Sequence, residues 1–101
     1  MNKVVLIGRL TKDPEIRYTP AGNAVSTFSI AVNRDYKNAN GEYDTDFINC
    51  VAWNQTAEFM GNYLRKGYQV AVSGSIQIRN YQDQSGKTVY VTEVIVNQVQ
   101  F

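Results

Sequence analysis

A chain of 101 residues with 44% apolar and 19% charged side chains holds material for one compact core and little room for a second. Its net charge of +1 favours no class of partner, because binding follows where charges sit rather than their sum. The composition also excludes chemistries: there is no histidine for acid–base work or imidazole ligation, a single cysteine makes neither an internal disulfide nor a zinc cluster, and no apolar run approaches the ~18 residues of a membrane-crossing helix.

The first element is a short apolar strand from Lys3 to Arg9. Met1-Asn2-Lys3-Val4 lacks the build of a signal peptide. Asp13-Pro14 and Pro20-Ala21-Gly22-Asn23 are turn signals. From Val25 to Tyr36 the residues alternate, with Phe28, Ile30 and Val32 on one face and Thr27, Ser29 and Asn33 on the other. Asn38-Ala39-Asn40-Gly41 is a hairpin loop whose residues tolerate positive φ. A third strand runs from Tyr43 to Trp53 and contains the lone Cys50, which reads as a buried small hydrophobe and, unpaired, points to a reducing compartment.

Helical spacing follows over Thr56–Lys66, with Ala57, Met60 and Leu64 on one side. Thr56 is the expected N-cap, Arg65 and Lys66 suit the negative end, and Gly67 suits a left-handed cap. Gln69 to Gln82 is a long strand with Val70, Val72, Ile76 and Ile78 inward and Ser73, Ser75, Gln77, Arg79 and Tyr81 outward. Asp83-Gln84-Ser85-Gly86 turns it into a last strand, Thr88 to Phe101. Three strands, a helix and two strands predict an all-β fold: a five-stranded oligonucleotide-binding Greek-key barrel, with one helix between strands 3 and 4, occupying residues 1–101 as one domain. A small sandwich or an SH3-like barrel is the alternative, but neither normally carries such a helix at that point.

Function is argued from the faces. In the third strand Ile48, Cys50 and Ala52 make the better core face, which turns Phe47, Asn49, Val51 and Trp53 outward. Arg79 and Tyr81 share the outward face of the fourth strand, and Tyr36 stands between Arg34 and Lys37 at the mouth of the first hairpin. Outward rings beside cations suit unpaired bases, because any base stacks on a ring and phosphates need positive or amide donors. This pattern alone does not separate DNA from RNA, or nucleic acid from a protein partner.

At these residues the sequence closely resembles the bacterial and phage single-stranded DNA-binding proteins. The resemblance is carried by Asn2-Lys3-Val4-Val5-Leu6-Ile7-Gly8-Arg9-Leu10, Asp13-Pro14-Glu15-Ile16-Arg17-Tyr18, Tyr63-Leu64-Arg65-Lys66-Gly67, Arg79-Asn80-Tyr81-Gln82-Asp83-Gln84-Ser85-Gly86 and Tyr90-Val91-Thr92-Glu93-Val94, in that order along the whole chain. It implies a homotetramer that wraps single-stranded DNA and protects it during replication, recombination and repair, in the cytoplasm on the nucleoid. Residue by residue it implies stacking by Tyr36, Phe47, Trp53 and Tyr81, and phosphate or polar contacts from Lys3, Arg34, Lys37, Asn49, Lys66 and Arg79. It implies no catalytic residue, metal, cofactor or membrane. Two departures bear on affinity: tyrosine or phenylalanine stands at three positions where tryptophan is common, and Asn49, Gln55 and Asn80 are neutral where relatives often carry a cation. Members generally continue into a linker and an acidic tail that recruits DNA-processing proteins. This sequence stops at Phe101, so the expectation is that such recruitment is lacking.

Two other classes compete. An adaptor on the same fold, of the primosome-accessory kind, predicts weak DNA binding and a tight protein partner. A metal-dependent nuclease would use Glu42, Asp44 and Asp46, which alternate along one strand, although their ordinary reading is a solvated strand edge.

Overall fold

The computed structural model describes all residues, 1–101. The elements in chain order are β1 (Val4–Leu10), β2 (Arg17–Tyr18), β3 (Ala24–Lys37), β4 (Tyr43–Trp53), α1 (Asn54–Tyr63), β5 (Gln69–Gln82) and β6 (Thr88–Gln100). β1 pairs antiparallel with β5 over Val4–Arg9 and reaches β3 through Arg9↔Ala31 and Leu10↔Ile30. β3 and β4 form an antiparallel hairpin, as do β5 and β6. β4 and β6 meet in parallel over only Cys50↔Val94 to Ala52↔Val96. The ring β1-β5-β6-β4-β3-β1 is therefore closed, and closure removes most of the free edges that make small sheet proteins associate. Setting aside the two-residue β2, which only extends β3 at Arg17↔Val25, five strands remain with the helix between the third and fourth. That is the oligonucleotide-binding barrel expected from element order.

The interior follows from alternation. Leu10, Phe28, Ile30, Cys50, Ala52, Val70, Val72, Val94 and Val96 converge from the five strands, and α1 closes one end with Ala57 and Met60, followed by Leu64. Each fully buried aliphatic contributes ~1.5–3 kcal/mol relative to exposure. Gly74 sits where β5 crosses β6. There the register slips, with Ser73↔Gln98 followed by Gly74↔Val96, so Asn97 is left unpaired as a bulge. A Cβ on Gly74 would collide with the Ile95 carbonyl oxygen, so the crossing needs glycine.

One turn design closes all three hairpin loops. Thr19, Asn38 and Asp83 each donate a backbone N–H to a carbonyl four residues on and accept one from a glycine three residues on: Asn38 N–H to Glu42 O is 2.7 Å, and Asp83 N–H to Lys87 O is 2.9 Å. The first residue's side-chain oxygen takes a further loop N–H, as Asn38 Oδ1 does from Asn40 and Glu42. The closing glycine must adopt positive φ, +77° at Gly41 and +83° at Gly86. The Ser85 hydroxyl first, then the N–H of Lys87, hold the Asp83 carboxyl below its ordinary pKa.

The helix departs from expectation at both ends. It starts at Asn54, two residues early, and Trp53 is its N-cap with no side-chain bond, so Thr56 caps nothing. Asn54 takes φ +55°, which lets β4 turn straight into α1. The helix stops when Leu64 turns extended and is buried. Gly67 lies in a later turn at φ +86°, where Tyr68 N–H reaches Arg65 O and Gly67 N–H reaches Leu10 O. Arg65 does serve the helix end, donating to Gly61 O and Leu64 O, whereas the Lys66 side chain does not. Ile76 and Ile78 are not core residues: they are 44% and 64% exposed. Their parity is inward, but Ile76 lies at the barrel's rim, opposite the buried Val94, and beyond it the β5–β6 hairpin overhangs with no interior beneath. The overhanging arms raise the radius of gyration to 15.0 Å, against about 13 Å for a sphere-like chain of this length.

Candidate nucleic-acid interface

Tyr36 is 65% exposed, Phe47 68%, Trp53 42% and Tyr81 49%, so all four rings meet solvent. Local pairing explains Phe47 and Trp53. β6 covers β4 only from Cys50 to Ala52, so the outward side chains on either side of that contact stay open. Val51 shares their face but lies between Thr27 and Ile95 on the two flanking strands and is 6% exposed, which corrects its expected exposure. Tyr36 and Tyr81 stand on the two arms, Tyr81 opposite Val89.

The polar residues fall into separate groups. Asn49, opposite Ser29, and Arg79 line one groove of about 500 Å³, together with Lys12, Arg17 and Glu93. Arg79 Nε donates to Glu93 Oε1 at 3.0 Å, and Glu93 is only 8% exposed. A buried carboxylate requires a partner, so Glu93 holds Arg79 in place while both terminal guanidinium nitrogens remain unbonded. Arg34 is committed more fully. Its Nε and Nη2 donate to the two Asp46 oxygens, each at 3.0 Å, and its Nη1 reaches the Tyr36 hydroxyl at 3.5 Å. These bonds push the Arg34 pKa up and the Asp46 pKa down, in each case chiefly through their mutual hydrogen bond. Lys37 places its ammonium 5.8 Å from the centre of the Tyr43 ring. Lys3 lies apart, against Val5, Ser73 and Gln98 between β1 and β5, and Lys66 lies beyond the helix with only its backbone N–H engaged, by Asp13 Oδ1.

Sequence reasoning did not single out Lys12 and Arg17 as groove residues, or Asp46 and Glu93 as partners of the arginines. Pairings across a hairpin carry no local signal, because they depend on register. Glu42, Asp44 and Asp46 do not gather: Asp44 accepts from Asn38 Nδ2, Asp46 from Arg34, and no three acidic or cysteine side chains come together as a metal-binding group.

Cys50 is 1% exposed, and burial pushes its thiol from 9.0 to about 12. The folded thiol stays protonated where an unfolded one ionises, so stability tied to this group is complete below pH 9.0 and is lost as pH rises toward 12. A thiol reagent at pH 8 should label the folded protein negligibly and label it stoichiometrically in denaturant. Rapid labelling without denaturant would contradict the burial.

No helix is long and apolar enough to cross a membrane. The profile of the single-strand binding protein family matches residues 1–101. Single-stranded DNA-binding protein 2 of Listeria monocytogenes is 59% identical over 101 residues, which are 100% of this chain and 63% of that relative. Single-stranded DNA-binding protein 3 of Listeria innocua is 58% identical, again over 100% of this chain and 63% of the relative. Single-stranded DNA-binding protein A of Bacillus subtilis is 56% identical over 100% of this chain and 59% of its own length. The chain thus spans about three fifths of the curated relatives it matches.

Proposed function

The chain belongs to the single-strand binding protein family, and from that premise we propose that it binds single-stranded DNA without sequence preference and shields it during replication, recombination and repair. The observation that carries this reading is the family match over the whole chain; Tyr36, Phe47, Trp53 and Tyr81, the four rings that the resemblance assigns to stacking, are among ten aromatic side chains that stand 42% or more exposed. Stacking of one base on each is worth ~1–3 kcal/mol whatever the base. The barrel of residues 1–101 is the binding domain. Asn49 and Arg79 in the groove, Arg34 and Lys37 on the β3–β4 arm, and Lys3 and Lys66 elsewhere on the surface contact phosphates and polar base edges. The function is binding, with no reaction, metal or cofactor.

The protein works as a homo-oligomer, a tetramer by family resemblance. Val5, Ile7, Ile76, Ile78 and Tyr90 support this, since they leave β1 and the β5–β6 arm apolar and between 44% and 70% exposed, more than an isolated barrel of this size normally tolerates. Its compartment is the cytoplasm.

Titration with poly(dT) tests the reading. Trp53 is the single tryptophan, so its emission reports one site, and stacking should quench it. Affinity should fall with salt, at a log–log slope of about −0.7 for each phosphate neutralised. Unchanged emission together with no binding by an independent method at low salt would end the proposal. Mass measurement by light scattering, with and without an oligo(dT) of defined length, gives the subunit count and stoichiometry together.

A further inference from the structure

Tyr81 has the partly free Arg79 two residues away on its own face, whereas Tyr36 stands on an arm with little free positive charge. Between Arg34 and Asp46 the chain has two cations, Arg34 and Lys37, against four carboxylates, Asp35, Glu42, Asp44 and Asp46. The β5–β6 hairpin balances Arg79 and Lys87 against Asp83 and Glu93. The arm that presents Tyr36 is therefore net negative, although any single strand stacked there brings phosphates with it.

Within that arm Asp46 takes a specific position. A guanidinium recognises a phosphate through two parallel N–H donors, and Arg34 presents its Nε and Nη2 edge to Asp46 in that geometry. Its remaining terminal nitrogen leans on Tyr36. Both partners are about half exposed, Arg34 at 42% and Asp46 at 47% of their side chains, so the pair can open at little desolvation cost. Arg79 differs, because its carboxylate is buried and leaves two nitrogens free.

We propose that Asp46 acts as an internal substitute for phosphate, occupying the bidentate edge of Arg34 in the free protein and reducing the electrostatic share of binding. The inference rests on the reading that the chain binds single-stranded DNA. A phosphate that takes Arg34 must displace a carboxylate that stays beside it, so the pair supplies little net positive charge and Arg34 adds little to the release of cations from the strand. Binding at this arm is carried mainly by stacking and depends only weakly on salt.

Replacing Asp46 with asparagine in the full chain tests this, using an oligo(dT) and a salt series. D46N should steepen the log–log salt slope by about 0.7 and tighten binding by about eightfold at 0.05 M salt relative to 1 M. The gain should disappear when D46N is placed on an Arg34→Met background. Equal tightening in both backgrounds would mean that only the arm's general charge matters, which overturns the assignment. Unchanged or weaker binding by D46N, with an unaltered melting curve, also overturns it, because Asp46 would then be bracing Arg34 and Tyr36 for binding. The wild type separates the two levels: no binding by it removes the binding reading and this inference together, whereas normal binding with an unresponsive D46N removes this inference alone.

Discussion

Converting Phe47 and Trp53 together to alanine should weaken binding to oligo(dT) by ~2–6 kcal/mol, a loss of about thirtyfold at least, while each single change costs ~1–3 kcal/mol. The two rings stand on one face of β4 six residues apart, which at ~3.3 Å per residue separates them by ~20 Å. At that distance they stack on different bases, so their contributions add. Phe47 is 68% exposed and supports little of the core, so the Phe47→Ala protein should melt close to the wild type. Trp53 is more enclosed at 42%, and its replacement should lower the melting temperature modestly. Fluorescence anisotropy of a labelled oligonucleotide, which does not depend on the lost tryptophan, reads affinity, and circular dichroism reads stability. If the double variant retains wild-type affinity, the rings are not the platform, and an adaptor role on the same barrel becomes the better account.

Gly74→Ala should be the most damaging single-methyl change in the molecule, costing ~3 kcal/mol or more and lowering the melting temperature by about 14 °C or more. The obstacle is the Ile95 carbonyl oxygen on the paired strand, which is backbone and cannot rotate away. Relief requires β5 and β6 to part at the bulge where the register changes between Ser73 and Gly74. That crossing joins the closed barrel to the overhanging arm, so the damage should also loosen the placement of Arg79 and Tyr81. Gly86→Ala is the useful contrast: nothing lies within 4 Å of its Cβ, and only the positive φ of +83° is strained. Its cost should be nearer ~1 kcal/mol. A Gly74→Ala protein that melts like the Gly86→Ala protein would mean that the hairpin accommodates the methyl by sliding.

Much of the architecture was legible because it is encoded locally. The period-two pattern of β3 and β4 sets Phe28, Ile30 and Val32, and Ile48, Cys50 and Ala52, on the inner faces; the structure buries Phe28, Ile30, Cys50 and Ala52 and leaves Val32 and Ile48 half-buried against them. The β4 and β5 limits match the sequence reading, and the glycine-closed turns at Asn38 and Asp83 carry their geometry in four or five consecutive residues. The helix was legible in its buried face of Ala57, Met60 and Leu64 but not in its ends. The signals from Thr56 and Gly67 are generic, whereas its actual start depends on Asn54 turning directly out of β4.

The misplaced residues share one cause. Ile76 and Ile78 follow the right parity but lie where the hairpin leaves the barrel, and Val51 follows outward parity but lies where β4 is flanked on both sides. Alternation reports which side of a sheet a residue occupies; whether anything lies on that side depends on the remainder of the fold.

From sequence alone came the class of fold, the order of its strands, the composition of its core, the turns and the family, because each depends on residue types at short spacing or on the chain-long pattern. Only the folded chain decided which cations are free. Arg34 meets Asp46 and Arg79 meets Glu93 across hairpins, twelve and fourteen residues apart, and an ion pair forms or fails over a few ångströms set by strand register.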